Sequence, residues 1–325
     1  MKLFSRVAVV SALFVAACGG GDGQFGPPPD DDAVPLSSEQ DVIRELGNIN
    51  DFVGIGDGEV PVGKAAAIGK VRMGKARVAR LSRRTALAKT VETFGCDNTD
   101  GFVDVEDSSG TRSFEHFPVT RAVDITNSWY SNCRTDFEDG YDLYDGATEV
   151  GSSSDGYDYV LAGLDGDPFV TLSRYDSTSP SYYYQTAFRG LSEYRLAGGD
   201  DEARELFDIE FEDSDGRSGE VEVGRNADDT MVTIDGNGVF SIDGPYWYST
   251  SECSGGEVRV ETLNVITFSD QGYPDGGRLR FTSGGDSVLV TVSGTGGATI
   301  QFSNGGSASL TSAQMQDLYN SGGDC

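Results

Sequence analysis

From about residue 91 onward, apolar and polar residues alternate with a period of two. "GFVDVED", "VEVGR", "TMVTIDGNGVFSIDG", "GEVRVETLNVITF", "GRLRFTSG" and "DSVLVTV" each put every second residue on one apolar face. That is the pattern of half-buried strands; a helix would repeat every 3.6 residues. Turn signals separate these runs at Asp235-Gly236-Asn237-Gly238, at Gly284-Gly285 and over residues 294–297. Turns this short join neighbouring strands antiparallel. They leave no room for crossover helices, so a doubly wound α/β fold is excluded. The expected fold is all-β: an antiparallel meander that must curl into a half-barrel or fold into a sandwich once it exceeds about ten strands.

Two short stretches carry helical signals instead. "SSEQDVIRELGNINDF" offers Ser38 as a cap, Asp41 three residues on and Gly47 as a terminator; "TSAQMQDLY" offers Thr311 or Ser312 as a cap. An internal echo also runs through the β-region. "CDNTDGFVDVE" from Cys96 resembles "CSGGEVRVE" from Cys253, while "WYSNC" ending at Cys133 resembles "WYSTSEC" ending at Cys253. The two alignments disagree on which cysteine matches, but both suggest related halves over residues 91–200 and 201–325.

Charge narrows the partners. The chain holds 24 Lys+Arg against 53 Asp+Glu, a net charge of −29, and no lysine follows Lys89. Such a surface repels nucleic acid and anionic headgroups, which argues against a DNA- or RNA-binding role. Asp-Gly pairs recur at Asp139-Gly140, Asp145-Gly146, Asp165-Gly166, Asp215-Gly216 and Asp235-Gly236. Turn chemistry accounts for most of them. "DSDGRSGEVEVG" from Asp213 begins like a calcium loop but has Arg217 at a ligand position and no terminal glutamate, so no metal site is assigned. Residues 64–89 break the trend with nine basic residues and no acid. They read as part of a helical and basic linker over residues 38–90, either solvated or docking on anionic lipid or on the chain's own acidic domain.

Five cysteines are present. Cys18 stands apart at the end of a leader: Lys2 and Arg6 precede an apolar run over residues 7–17 that is too short to span a bilayer of roughly 30 Å as a helix. Val15-Ala16-Ala17-Cys18 resembles the lipobox of bacterial lipoproteins. The resemblance implies diacylglyceryl attachment to the Cys18 sulfur, removal of residues 1–17, and, with Gly19 where an inner-membrane retention signal would put aspartate, sorting to the outer membrane. Residues 18–37, rich in glycine, proline and aspartate, read as a disordered tether. The other four, Cys96, Cys133, Cys253 and Cys325, allow three disulfide connectivities in an oxidising compartment. Cys96–Cys133 with Cys253–Cys325 is favoured because each pair closes one half of the domain. Zinc wants close pairs, and no CxxC occurs. A second resemblance covers "YPDGGRLRFTSGGDSVLVTVSGTGGATIQFSNGG" followed by "MQDLY", which is similar to the C-terminal repeat of uncharacterised β-rich Gram-negative lipoproteins. It implies fold more than activity.

Catalytic patterns are lacking. The only histidine, His116 in "RSFEHFPV", is expected on a strand, sharing a face with Phe114 as a packed or rim residue. No Gly-x-Ser-x-Gly elbow and no phosphate-cradling glycine loop occurs. The reading is therefore non-enzymatic, with no cofactor. Aromatics are the better clue: Tyr182, Tyr183 and Tyr184 in "SYYYQTAFRGLSEY", and Trp247 between Tyr246 and Tyr248, are candidates to stack on a ligand or to line a cavity. The expectation is an outer-membrane lipoprotein, attached to the membrane through its N-terminal lipid, that binds or scaffolds an envelope protein, a glycan or a lipid. The alternatives are a half-barrel lipid carrier and a carbohydrate-binding or carbohydrate-active protein.

Overall fold

The computed structural model describes residues 33–53, 91–137, 140–163, 170–176, 183–197, 200–214, 216–236, 239–251, 253, 255–269 and 273–321. The leader, Cys18, the tether up to residue 32, the basic residues 64–89, Tyr182 and Cys325 lie outside these residues. The fold is all-β and antiparallel, as the alternation predicts. In chain order the first strands are β1 (Val91–Gly95), β2 (Phe102–Ser113), β3 (Thr120–Phe137), β4 (Gly140–Ser152), β5 (Tyr157–Ala162), β6 (Val170–Asp176), β7 (Tyr183–Ala197) and β8 (Asp200–Asp213). They continue as β9 (Ser218–Val223), β10 (Met231–Gly236), β11 (Val239–Thr250), β12 (Gly256–Phe268), β13 (Pro274–Ser283), β14 (Asp286–Val292), β15 (Ala298–Phe302) and β16 (Ser307–Leu310). Two helices flank them, α1 (Glu39–Val53) and α2 (Ser312–Ser321).

All sixteen strands belong to one sheet. Two strand lines are interrupted: β5 and β6 lie end to end between β4 and β7, and β9 and β10 lie end to end between β8 and β11. The break follows a glycine with positive φ in both cases, Gly163 at 83° and Gly224 at 79°, a conformation open to glycine at little cost. The first fragment starts at 157 or 218 and the second at 170 or 231, so the two lines share one spacing. The repeat drawn by the sheet is thus β4–β7 and β8–β11. Hydrogen bonding passes straight through residue 200, with β7 and β8 paired from Tyr184↔Asp213 to Ala197↔Asp200.

The main core gathers on one face, here called inner. Alternate residues of β8 to β15, such as Phe207, Ile242, Val258, Phe281, Val290 and Ile300, meet Val34, Leu36, Val42 and Ile49 from the N-terminal segment and Met315 of α2. Each fully buried side chain of this size contributes on the order of 1.5–3 kcal/mol. The N-terminal segment is fastened before α1 begins: Ala33 bridges Glu257 in parallel, and the Val34 amide donates to Ser283 Oγ at 2.7 Å. Ser38 caps α1 as expected, its Oγ accepting from the Asp41 amide at 3.2 Å while Asp41 Oδ2 accepts from the Ser38 amide at 2.8 Å. Gly47 does not end the helix. Glycine costs about 1 kcal/mol against alanine inside a helix, and burial of Ile49 beyond it outweighs that. Thr311 caps α2, with Gln314 Oε1 accepting from the Thr311 amide at 2.9 Å and Thr311 Oγ1 accepting from the Gln314 amide at 3.3 Å.

The N-terminal edge is different. All five residues of β1 are exposed, and β2 buries few side chains. The Cys96–Cys133 disulfide, one of the two pairings favoured from the sequence, joins the end of β1 to β3 with Cα atoms 5.3 Å apart. It sits where the sheet has little core to hold its edge. Cys253 is also disulfide-bonded; its expected partner, Cys325, is outside the described residues. Asp145-Gly146 forms no turn. It lies within β4 opposite a bulge between Tyr130 and Cys133, where Asn132 has φ 47° and its amide donates to Asp145 Oδ1 at 2.7 Å. The carboxylate thus satisfies a donor that the bulge removes from the ladder.

Candidate functional site

Two places on the sheet concentrate chemistry. On the inner face, Glu45 of α1 is wholly buried. Its Oε2 accepts from the Tyr246 hydroxyl at 2.6 Å; its Oε1 accepts from the Tyr248 hydroxyl at 2.8 Å and from Arg44 Nε at 3.0 Å. Strand alternation puts Tyr246 and Tyr248 on the same side of β11, one register step apart, so one carboxylate serves both. Burial first and the Glu45 charge second push both phenol pKa values up, which keeps them as donors. One turn further along α1, Asn48 is wholly buried and neither of its amide atoms has a partner. Between α1, α2 and the sheet lies an apolar cavity of about 60 Å³ bordered by Leu46, Ile49, Ile266, Leu279, Met315 and Leu318 among others.

The outer face carries the second place, and the strand expected through His116 is not there. His116 and Phe114 are not on a strand. β2 ends at Ser113, and residues 114–119 fold back over the outer face, where Pro118 cannot donate to a ladder. Phe114 and Phe117 bury against Val123, Tyr159 and Leu191. Glu193, wholly buried, accepts from the Glu115 and His116 amides at 2.8 and 2.7 Å. Arg204 donates to the His116 carbonyl at 2.7 Å and to Glu202 at 2.9 Å, with its guanidinium 4.7 Å from the Phe117 ring. A buried carboxylate and an arginine on neighbouring strands therefore hold the turn by its backbone.

Between this turn and residues 224–230 the outer face opens into a hollow of about 640 Å³. Its floor comes from β8, β10, β11 and β12 through Arg204, Val232, Asp243 and Arg259; Glu115 and His116 border one side, and Asp228 and Asp229 the other. Arg259 is engaged by both oxygens of Asp229 at 2.6 and 2.5 Å. Asp243 Oδ1 accepts from the Thr262 amide at 2.8 Å. Burial and the nearby Glu261 push its pKa up, against that amide bond. His116 is 5% exposed. Burial lowers its pKa more than Glu193, the Ala227 backbone and Glu115 raise it, so the ring is neutral at neutral pH.

Further along the outer face, like charges stand opposite one another: Asp208 faces Glu222, and Glu210 faces Glu220, across β8 and β9. Arg189 neutralises Asp208 through an ion pair at 2.7 Å. Burial together with Asp208 and Glu220 pushes Glu222 up to about 7. Trp247 lies in register with Glu222 on one side and Glu257 on the other, and its buried Nε1 has no partner. Tyr183 and Tyr184 lie at the start of β7, where Tyr184 pairs with Asp213 at the far end of β8. The register does not bring the tyrosine run and Trp247 together. Among the described residues, no group of three or more His, Cys, Asp or Glu is placed to hold a metal ion.

The hollow has no local signature in the sequence. Its walls are 88 residues apart where Arg204 meets the His116 carbonyl, and only strand register brings them together. A faint sign exists in "GRNADDT", the seven residues that break the alternation between "VEV" and "MVTI". What fold and site define is an all-β, single-sheet protein with a helix-filled inner face and a polar hollow outside. No family model matches the chain, and no curated protein or solved structure matches it.

Proposed function

We propose that the chain is a non-enzymatic binding protein of the bacterial outer membrane, anchored through lipid on Cys18, with the outer-face hollow as its binding site. The lipobox resemblance supports the anchor. The observation that carries the binding reading is the pairing of volumes: ligand pockets run to about 300–1,000 Å³, the hollow holds about 640 Å³, and the inner face is occupied by α1 and α2. Labelled palmitate tests the anchor. It is expected in the wild type and absent from Cys18→Ser; equal labelling of both removes the reading.

The apolar cavity favours a second reading, a lipid carrier. At about 60 Å³ that cavity takes an acyl chain only when α1 withdraws, which breaks the Glu45 cluster. Native mass spectrometry of Cys18→Ser exported to the periplasm separates the two: co-purifying lipid favours the carrier, a bare mass the hollow.

A further inference from the structure

The inner face changes character toward the N-terminal edge of the sheet. Among the described residues, α1, α2 and the segment before α1 share their core with β8 to β15 and reach back only to Ala162, Val170 and Phe188 on earlier strands. Followed by register from β8 back to β3, the rest of that face presents Thr126, Ser128, Asp142, Asp158, Ser192 and Glu205. All six are buried, Ser192 and Glu205 wholly. Thr186 belongs to the same face; it is wholly buried, and its hydroxyl has no partner among the described residues.

Buried carboxylates call for cations, and the sheet spends its own on the other side. Arg112, Arg121, Arg189, Arg195 and Arg204 all lie on the outer face with their carboxylate partners. Among the described strand residues of β2 to β10, Arg174 alone stands at an inner register position, opposite Asp142. The cations for Asp158 and Glu205 therefore come from outside these strands.

Connectivity supplies a source. α1 ends at Val53, after placing Glu45 over β11, and the described chain resumes at Val91 in β1, at the edge of the sheet. Eight strand spacings separate β11 from β1, about 40 Å at about 4.8 Å each. The 37 residues between Val53 and Val91 reach about 120 Å when extended, and the direct course between their ends passes the inner face of β10 back to β2. Within them, residues 64–89 carry nine basic residues and no acid.

We infer that residues 64–89 dock on the inner face of β3 to β8, their cations pairing with Asp158 and Glu205 and joining Arg174 beside Asp142, with a polar group of the segment meeting the Thr186 hydroxyl. The basic run then fills the polar half of the inner face as α1 and α2 fill the apolar half. An anionic membrane offers the same charges, but the acids of the sheet are held close by a short connection, which makes the encounter intramolecular.

Hydrogen exchange of the full chain in neutral detergent, set against a synthetic peptide of residues 64–89, tests this. Amides of the segment should exchange about ten-fold or more slowly in the chain than in the peptide. That protection should fall in Asp158→Asn with Glu205→Gln. It should fall equally in Arg77→Glu with Arg80→Glu and Arg83→Glu, which leaves every sheet residue in place and carries the test if the first variant misfolds. Unchanged protection of β13 and β14 shows that the sheet is intact. The chain's lysines outside the leader all lie in the segment, so lysine–carboxylate links made by a carbodiimide locate it directly: Asp142, Asp158 or Glu205 is expected. Peptide-like exchange, protection that appears only with phosphatidylglycerol vesicles, or links to the outer-face Asp208, Glu210 or Glu220 overturns the inference.

Discussion

Glu45 offers the sharpest test of how the N-terminal segment is held. It is a carboxylate with no exposure, and it accepts from two phenols and one guanidinium. Glu45→Ala takes the buried carboxylate from the Tyr246 and Tyr248 hydroxyls and from Arg44, which keeps Asp41 at 3.6 Å, and opens a void. Removing one partner of a buried charged pair costs about 3–5 kcal/mol, and each orphaned hydroxyl lies within the range of about 1–3 kcal/mol for an unmet polar group. At about 2–4 °C per kcal/mol for a domain of a few hundred residues, the melting temperature should fall on the order of 10 °C. Tyr246→Phe alone should cost about 1.5–3 kcal/mol, the contribution of one hydrogen bond to a charged acceptor. In a Glu45→Leu background the same change should cost less than in the wild type, because the charged acceptor of that hydroxyl is gone. Thermal and urea unfolding of the four proteins completes a double-mutant cycle. A Glu45→Ala loss below about 1 kcal/mol, or strictly additive effects, refutes the account of α1 as a helix pinned through this carboxylate.

Other outcomes follow from single features. Asn48→Leu removes two unmet polar atoms from the core and should stabilise by about 1–3 kcal/mol in urea unfolding; a loss of stability would show that the amide is satisfied in solution. Glu222 holds its proton up to about pH 7 when folded, well above an unfolded carboxylate. The folded state therefore binds the extra proton, and its stabilising effect is present at low pH and lost as pH rises through about 7. The melting temperature should rise from pH 8 to pH 5.5, and Glu222→Gln, which relieves repulsion from Asp208, Glu220 and Glu257, should flatten that rise; identical profiles would contradict it. Gly190 has φ 144°, and a Cβ there would lie 2.1 Å from the Leu206 carbonyl oxygen, so Gly190→Ala should cost about 3 kcal/mol or more, read as lost soluble expression or a lowered melting point. Cys96→Ser with Cys133→Ser opens a loop of 37 residues and should cost up to about 4 kcal/mol by loop entropy, read as a lowered urea midpoint without reductant; an unchanged midpoint would contradict it.

Strand periodicity was legible because burial on one face imposes it residue by residue, as along "DSVLVTV", which becomes β14. Caps were legible for the same local reason: Ser38 with Asp41, and Thr311 with Gln314, make their hydrogen bonds within one turn. Three expectations failed where distant parts of the chain decide. Gly47 stays helical because the sheet buries Ile49 beyond it. Asp145-Gly146 is a strand site because it answers a bulge on β3. His116 leaves the strand because Glu193 and Arg204, far along the chain, bind its backbone. Trp247 and its tyrosine neighbours show the limit plainly: alternation separates them onto two faces, but nothing local says that the tyrosines go inward to Glu45.

The bridge from Ala33 to Glu257 has a mechanical consequence. In a chain moored to a bilayer through Cys18, the lead from lipid to domain spans at most about 50 Å, and it ends clamped beside β12, where Gly284 leaves room for the Ala33 methyl. Traction on such a mooring would reach the domain through that bridge and the Val34–Ser283 hydrogen bond before it reached the buried helix. A pull from the anchor would then be felt beside the β13–β14 hairpin, in the packed part of the sheet, and not at the exposed β1 edge.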